Sequence, residues 1–314
     1  MLWSVHPNLG VPMITNAFSR PIFSPDGYLV VAVSGQNKLA AWDVATCQLQ
    51  ATVADAYDAV AFSPDGSGLL TRGTNYFLRT FDVAARSARE PIPGRPSGET
   101  ETSAALSPDG QILATGSTNG TLTFSDAKTG AVMATNVHAY ERHIFQIAFS
   151  PNGKLLATTG ITDGSELNPP AAKVWDTATH KLVAEPRGHT DLVIDITFSP
   201  DGKLLATCGV DDSIRFWDTT NWKEIPPSLG HKEYVKALTF SPNGKTLATT
   251  CNDGTMKLWN VATRRELASL KVPLASYVTF SPDGQTLAVQ CDDGALRLLR
   301  APVPDKKQFR LEDR

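Results

Sequence analysis

The sequence lacks the features that mark several classes of protein. Its longest unbroken apolar run is the six residues from Tyr28 to Val33, whereas a membrane-spanning helix needs about 20. Its 29 Lys and Arg residues stand against 32 Asp and Glu residues, a net charge of −3, so no basic excess is present to neutralise nucleic-acid phosphates. An apolar content of 41% disfavours intrinsic disorder. The sequence therefore predicts a folded chain that binds neither membranes nor nucleic acids.

Cysteine is scarce and catalytic motifs are absent. The four cysteines, Cys47, Cys208, Cys251 and Cys291, form neither a CxxC pair nor the framework of a small disulfide-stabilised domain. The segment from Met1 to Pro7 has neither the basic start nor the apolar stretch of a secretory signal, so we expect a cytoplasmic, reducing location. GxSxG, HExxH and GxGxxG motifs do not occur. The sequence thus predicts no catalytic residue, no metal ligand and no cofactor.

A four-residue motif recurs along the sequence at a nearly constant interval. Each copy lies between two apolar, β-rich stretches, and its Pro and Gly suit a tight hairpin turn. A second turn, a strand that often ends in an aromatic residue and a weaker fourth stretch follow. The period and the pattern predict four short strands per repeat. Ser-Pro-Asp-Gly or Ser-Pro-Asn-Gly occurs seven times, 39 to 49 residues apart, starting at Ser24, Ser63, Ser107, Ser150, Ser199, Ser241 and Ser281.

A four-stranded sheet that is apolar on both faces cannot be stable alone, and stacking such sheets around a ring covers both faces. No 3.6-residue apolar period supports a helical solenoid, and the rungs of a parallel β-helix are much shorter than this repeat. We predict an all-β fold, a seven-bladed β-propeller with four antiparallel strands per blade. The single domain is expected to occupy residues 1–304, followed by a charged tail at 305–314.

The spacing of residues near the two ends of the sequence indicates how the ring closes. Trp3 stands 20 residues before Phe23, the interval that separates the third strand of a repeat from the first strand of the next. The N-terminal segment thus resembles the end of a third strand followed by a fourth strand near Leu9–Ile14, whereas blade seven shows only three strands, through Leu299. We predict that the N-terminal strand completes the last blade. Closure by Gln308–Leu311, or a chain cut from a longer array, are the alternatives.

Blades five and six share further residues. Gly188-His189 and Gly230-His231 stand ten residues before the serine of their turns, and Trp217-Asp218 and Trp259-Asn260 end the third strands. With these residues the chain resembles the WD-repeat β-propeller family, of a bacterial type, over about residues 5–300. The resemblance implies a buried hydrogen-bonded set inside each complete blade. The matching residues are His189, Thr207, Asp211 and Trp217 in blade five, and His231, Thr249, Asp253 and Trp259 in blade six.

The other five blades depart from this pattern. Blade four has Tyr140 at the His position and Pro169 at the Asp position, and blade seven has Leu299 at the Trp position. We therefore expect packing, more than a polar network, to hold these blades together.

Variation among the repeats is concentrated in the loops before the first strands and between the second and third strands. Enlarged loops in blades three and four are predicted to share one sector of one face with Tyr140, Arg142 and His143, which suit a partner anchor. Carboxylates there would favour a basic partner, and these are Glu99, Glu101, Glu141, Asp163 and Glu166. Solvated loops that tolerate insertion are the plainer interpretation. In blades five and six the resemblance implies partner contacts at Thr190, Leu192, Val210, Lys232, Tyr234 and Asn252.

The leading hypothesis is a non-catalytic, monomeric interaction scaffold that binds a protein or peptide partner on its loop-rich face. The alternative is a propeller enzyme, or a propeller that binds a small ligand or metal in its central channel, as a lactonase or lyase would. That function requires convergent carboxylates and histidines on the innermost strands. The first strands supply few such residues, and Asp195 and Gln146 are expected to be isolated. A structural array without a dedicated partner is a third interpretation.

Overall fold

The computed structural model describes residues 4–5, 20–33, 38–54, 56–73, 78–83, 87–91, 101–136, 138–162, 172–227, 229–273, 275–293 and 295–301. These residues form 28 strands in seven four-stranded antiparallel sheets and contain no helix. No described helix is accordingly available to cross a membrane. The architecture is the predicted all-β, seven-bladed β-propeller. The domain bounds of 1–304 remain a prediction, since residues 302–314 lie outside the described part of the chain.

Each blade is one sheet whose strands follow chain order from the innermost to the outermost strand. Blade one contains β2 (Ile22–Phe23), β3 (Leu29–Val33), β4 (Lys38–Asp43) and β5 (Leu49–Ala54). Blade two contains β6 (Ala56–Phe62), β7 (Gly68–Gly73), β8 (Leu78–Asp82) and β9 (Ser87–Pro91). Blade three contains β10 (Glu101–Leu106), β11 (Ile112–Ser117), β12 (Leu122–Asp126) and β13 (Val132–Asn136). Blade four contains β14 (Ile144–Phe149), β15 (Leu155–Gly160), β16 (Lys173–Asp176) and β17 (Leu182–Ala184).

The last three blades repeat this order, and the seventh takes its fourth strand from the start of the chain. Blade five contains β18 (Val193–Phe198), β19 (Leu204–Gly209), β20 (Ser213–Asp218) and β21 (Leu229–Gly230). Blade six contains β22 (Val235–Phe240), β23 (Thr246–Cys251), β24 (Thr255–Asn260) and β25 (Arg265–Lys271). Blade seven contains β26 (Ala275–Phe280), β27 (Thr286–Cys291), β28 (Leu296–Arg300) and β1 (Ser4–Val5).

The N-terminal strand closes the ring, as predicted, but at a different position. Ser4 pairs with Arg300 and Val5 pairs with Leu299 in antiparallel register, so the fourth strand lies at residues 4–5. The predicted strand near Leu9–Ile14 falls outside the described residues.

Contacts between blades seven and one complete the seam. The Arg300 guanidinium donates a hydrogen bond to the Val44 carbonyl and, at 3.2 Å, to the Ala45 carbonyl of blade one. Val30 and Trp42 of blade one share a buried cluster with Leu298 of blade seven. Packing between sheets therefore continues across the point where the chain begins and ends.

Each copy of the four-residue motif forms the hairpin turn between the first and second strands of its blade. The serine at the first position of the motif makes two hydrogen bonds within the turn. In all seven turns the Ser hydroxyl donates to the Asp or Asn side chain two residues later, at 2.5–2.8 Å. The same oxygen accepts the amide five residues later, at 2.8–3.0 Å. The final Gly has a φ of 67–75°, which favours glycine.

The turns also pack against one another around the ring. A Cβ placed on each turn glycine would lie 3.0–3.8 Å from the Cδ of the proline in the preceding blade's turn. The series includes Gly27 of blade one against Pro282 of blade seven. The seven turns therefore form a closed circle on one face of the propeller.

Because the pKa values of several turn carboxylates are lowered in the folded protein, we expect the protein to lose stability in acid. Hydrogen bonds from Ser63 and Ser67 lower the pKa of Asp65 to about 2, and a Ser hydroxyl likewise lowers the pKa values of Asp26, Asp109 and Asp201. Because the pKa of Asp65 in the folded protein lies below the ordinary value of 3.8, its stabilising effect is complete above that value. The effect is lost as the pH falls through the folded-state pKa, so the Tm should drop in that window.

A variant with Asn at these four positions copies Asn152 and Asn243, which occupy the same turn position in blades four and six. It should keep a Tm close to that of the wild type at neutral pH and lose less of it in acid. Equal acid dependence of the two proteins would contradict the role given to these carboxylates.

Candidate functional site

The loops that precede the first strands interlock with the loops that join the second and third strands. In blade five the Val210 amide donates to the Leu192 carbonyl at 2.9 Å. Between blades five and six the His231 amide donates to the Asp212 carbonyl at 3.1 Å. We call the surface formed by these two kinds of loop the loop face. Backbone hydrogen bonds hold its loops in place, within blades and between them.

Beneath the loop face, blade five contains a continuous polar network. His189 Nδ1 lies 2.9 Å from the Asp211 carboxylate, and His189 Nε2 lies 2.7 Å from the Thr207 hydroxyl. The Trp217 indole N–H donates to Thr207 Oγ1 at 2.9 Å. The structure thus joins all four side chains that the resemblance implied. His189, Thr207 and Trp217 are at most 1% exposed, so the network is internal to the blade.

The ionisation of Asp211 determines the direction of the hydrogen bonds in the blade-five network. Burial raises the pKa of Asp211, but hydrogen bonds from His189 and Ser213 outweigh that effect and hold the pKa well below its ordinary value. The ionised carboxylate therefore accepts the Nδ1 proton of His189. Nε2 is then left to accept the Thr207 hydroxyl proton, which orients the threonine oxygen towards the indole.

Blade six contains the same residues in a different arrangement. His231 Nε2 lies 2.7 Å from Thr249 Oγ1, and the Trp259 indole N–H donates to that oxygen at 2.9 Å. The Asp253 carboxylate, however, accepts from the Thr255 hydroxyl at 2.6 Å, and His231 Nδ1 lies 3.2 Å from that hydroxyl. The expected direct bond between Asp253 and His231 is therefore replaced by a contact through Thr255.

Blade four keeps part of the network with a phenol in place of the imidazole. The Tyr140 hydroxyl lies 3.2 Å from Thr158 Oγ1, which accepts the Trp175 indole N–H at 3.0 Å. Tyr140 is 2% exposed, and burial raises the pKa of its hydroxyl well above the usual range. The prediction that Tyr140 anchors a partner is therefore wrong, because its side chain is a structural substitute for the histidine.

Blade seven is held by packing and an ion pair. Leu299 is fully buried at the Trp position, as expected of an apolar substitute. Asp293, in the turn, pairs with Arg297 at 2.9 Å. Pro169, at the Asp position of blade four, lies outside the described residues.

The remaining predicted contact residues have different environments. Glu141 and Arg142 are exposed on the loop face, and His143 is half-buried and stacks on Phe145 with ring centroids 6.5 Å apart. Glu101 lies half-buried at the start of innermost strand β10, opposite Ser117. The structure does not describe Glu99, Asp163 and Glu166. The enlarged-loop sector therefore remains a prediction.

Apolar side chains are exposed around the described part of the loop face. Leu192 is 40% exposed, Val210 is 37% exposed, and Phe145 is 36% exposed. Tyr234 is half-buried, with the Lys236 ammonium 6.0 Å from its ring centroid. Phe145 was missed by sequence reasoning, because an aromatic residue at the start of a first strand resembles a core residue.

The centre of the ring contains a charged cluster that corrects the expectation of isolated polar residues. The Asp195 carboxylate accepts hydrogen bonds from the Arg20 guanidinium, from the Gln146 amide at 3.2 Å and from the Leu238 amide at 2.8 Å. A cavity of about 330 Å³ lies among the innermost strands, lined in part by Arg20, Gln146 and Tyr277. The Asp195 carboxylate thus accepts hydrogen bonds from donors outside its own blade.

The fold defines the class of protein as a seven-bladed β-propeller. Four segments, residues 98–124, 134–165, 180–218 and 224–260, match the WD40 family model, described as WD domain, G-beta repeat. The WD repeat-containing protein SL1-17 of Schistosoma mansoni is 29% identical over 161 residues. That alignment covers 50% of this chain and 50% of the relative, so the chain spans about half the length of the relative it matches. Propellers of this family typically mediate protein–protein interactions.

Proposed function

We propose that this protein is a non-catalytic interaction scaffold that binds a basic protein or peptide segment on the loop face. The observation that carries the proposal is the exposure of Leu192 and Val210 on two loops that a backbone hydrogen bond joins. Apolar side chains on a rigid surface bind with little loss of conformational freedom. Single exposed apolar residues are common on any surface, so the relevant feature is that these two lie on loops whose backbones are joined.

The charge of the loop face supports a basic partner. Within residues 138–143, 185–192, 210–212, 231–234, 252–254 and 292–293, nine Asp and Glu residues stand against three Lys and Arg residues. Three of the nine, Glu185, Asp292 and Asp293, pair with cations outside these ranges, and the other six still outnumber the three cations. Such an excess of carboxylates attracts a partner rich in Lys and Arg and raises its association rate. Glu141 and Arg142 lie at the edge of this surface, beside the predicted sector of blades three and four.

The channel supports the alternative function less well. Asp195 accepts hydrogen bonds from Arg20, Gln146 and Leu238. Its carboxylate oxygens are therefore already bonded to groups of the protein itself. A channel enzyme would need such groups directed towards a substrate. We therefore favour the scaffold, and we retain a monomeric, cytoplasmic protein of bacterial type as our expectation for its setting.

Peptide selection with matched variants tests the proposal. Peptides selected from a random display library on the wild type should be rich in Lys and Arg, and the L192D/V210D variant should bind them at least tenfold more weakly, as expected for loss of central contacts. The control is Y28D, which changes a side chain that is 70% exposed beside the Ser24 turn on the opposite face, and it should bind normally. Equal binding by L192D/V210D, or selection of acidic peptides, would contradict the proposal.

A further inference from the structure

Three side chains with metal-ligating atoms converge at the loop end of blade six. His231 lies in the loop before β22, Cys251 ends β23, and Asp253 lies in the turn that follows. One ligand atom from each of the three lies within 4.8 Å of the other two. Within the described residues, no other group of His, Cys, Asp and Glu meets this condition.

Comparison with blade five shows that the convergence is a specific departure from the repeat. Gly209 occupies the position of Cys251 there, since Gly209 pairs with Val193 as Cys251 pairs with Val235. A Cβ on Gly209 would lie 2.0 Å from the Leu192 carbonyl oxygen, so blade five has no room for a side chain at this point. Blade six has a path for its loop that admits a thiol.

The added thiol accompanies a changed carboxylate. In blade five Asp211 contacts the imidazole directly, at 2.9 Å. In blade six the Asp253 amide donates to Cys251 Sγ at 3.4 Å, and the Asp253 carboxylate bonds to Thr255. The imidazole–carboxylate bond is thus opened at the place where the thiol is introduced. The Thr255 hydroxyl lies between the carboxylate and the imidazole, and it would be displaced from one of them when all three groups bind an ion.

The donor set has a clear chemical preference. Thiolate, imidazole and carboxylate together suit Zn²⁺, which binds sulfur at about 2.3 Å, nitrogen at about 2.0–2.1 Å and oxygen at about 2.0–2.2 Å. Zn²⁺ bound by three protein ligands in tetrahedral geometry accepts a water as the fourth. The three ligand atoms lie within 4.8 Å of one another, and they would move closer together to bind one ion.

The histidine is already oriented by a second group. Its Nε2 lies 2.7 Å from Thr249 Oγ1, an oxygen that can accept the Nε2 proton in addition to the Trp259 indole proton. With the proton on Nε2, Nδ1 would exchange its 3.2 Å contact with Thr255 Oγ1 for the metal. A hydrogen bond at the opposite ring nitrogen is the usual support of a metal-bound histidine.

We propose that His231 Nδ1, the Cys251 thiolate and the Asp253 carboxylate form a Zn²⁺-binding site at the loop end of blade six. The proposal departs from the sequence-based expectation that no residue ligates a metal, and it does not depend on the identity of a partner. Binding replaces the thiol proton with the metal, and the proton is released to solvent. The bound ion ties together the three segments that meet at this end of the blade.

Metal titration of the purified, chelator-treated full chain tests the site. Zn²⁺ should bind with one-to-one stoichiometry by calorimetry, and Co²⁺ in its place should give the charge-transfer absorption of a thiolate–metal bond. Cys251→Ser should weaken Zn²⁺ binding at least tenfold and abolish that absorption. The matched control is Cys291→Ser, which changes the equivalent position of blade seven, where Arg297 is the neighbour, and it should behave as the wild type.

Three results would overturn the proposal. The first is a wild-type Co²⁺ complex without thiolate absorption, a measurement that needs no variant. The second is a Cys251→Ser variant that is folded by circular dichroism and binds Zn²⁺ as tightly as the wild type. The third is retention of the absorption by Cys251→Ser and its loss in Cys291→Ser, which would assign metal binding to blade seven.

Discussion

Replacing Trp217 by alanine is expected to lower the free energy of unfolding by about 3–5 kcal/mol, the range for a large aromatic side chain removed from a packed core. The indole is 1% exposed and packs beside Ala157, Val174 and Leu205 at the contact between blades four and five. Its loss leaves a cavity and removes the donor that Thr207 Oγ1 accepts. Urea unfolding should show a lower midpoint with little change in slope.

Trp217→Phe separates packing from hydrogen bonding. Phenylalanine fills most of the volume but cannot donate to Thr207, so the expected loss is about 1–2 kcal/mol. Leu299, which is fully buried at the same position of blade seven, shows that an apolar side chain can occupy this position. A loss in Trp217→Phe as large as that in Trp217→Ala would show that the polar network, and not packing, dominates the blade.

The fold could be predicted from the repeat because the same local signals recur seven times. Each turn has its serine, its Asp or Asn and its glycine, and the structure gives all of them the same hydrogen bonds. The blade-five set could likewise be located residue by residue, from spacing and resemblance. The spacing of the motifs did not predict the role of the serine. Its hydroxyl donates to the Asp or Asn side chain and accepts a backbone amide proton.

The differences between blades were harder to predict, because they depend on the path of a loop. Asp253 occupies the same position in the repeat as Asp211, yet it bonds to Thr255 instead of His231. Tyr140 was recognised at the His position, but its length, which brings its hydroxyl to Thr158, could not be judged without the backbone. Tyrosine and histidine side chains of different length thus contact equivalent threonine hydroxyls in different blades.

Contacts across the ring left no local signal in the sequence. Arg20 and Asp195 are separated by 175 residues, and their pairing exists only because the blades form a circle. The N-terminal strand was predicted from spacing alone, and spacing placed it several residues too late. Its pairing with β28 depends on where the third strand of blade seven presents its free edge.

The ring seam can be tested with an engineered disulfide, which also has a large expected effect. Ser4 and Arg300 are paired in antiparallel register, and paired Cα atoms in such sheets lie about 4.5–5.5 Å apart, within the range that a disulfide spans. An S4C/R300C variant, made with Cys47 replaced by serine, should therefore form the bond on mild oxidation. Because the bond closes nearly the whole chain, it should stabilise the oxidised form by up to about 5 kcal/mol over the reduced form.

The measurement that bears most directly on the closed propeller is the Tm of this variant before and after oxidation, beside that of S4C/R297C. Arg297 lies on the same strand but three residues out of register with Ser4. A cross-link and a higher Tm on oxidation are expected for S4C/R300C, with free thiols in S4C/R297C. Free thiols in both variants, or equal cross-linking of both, would contradict closure of the ring by the N-terminal strand.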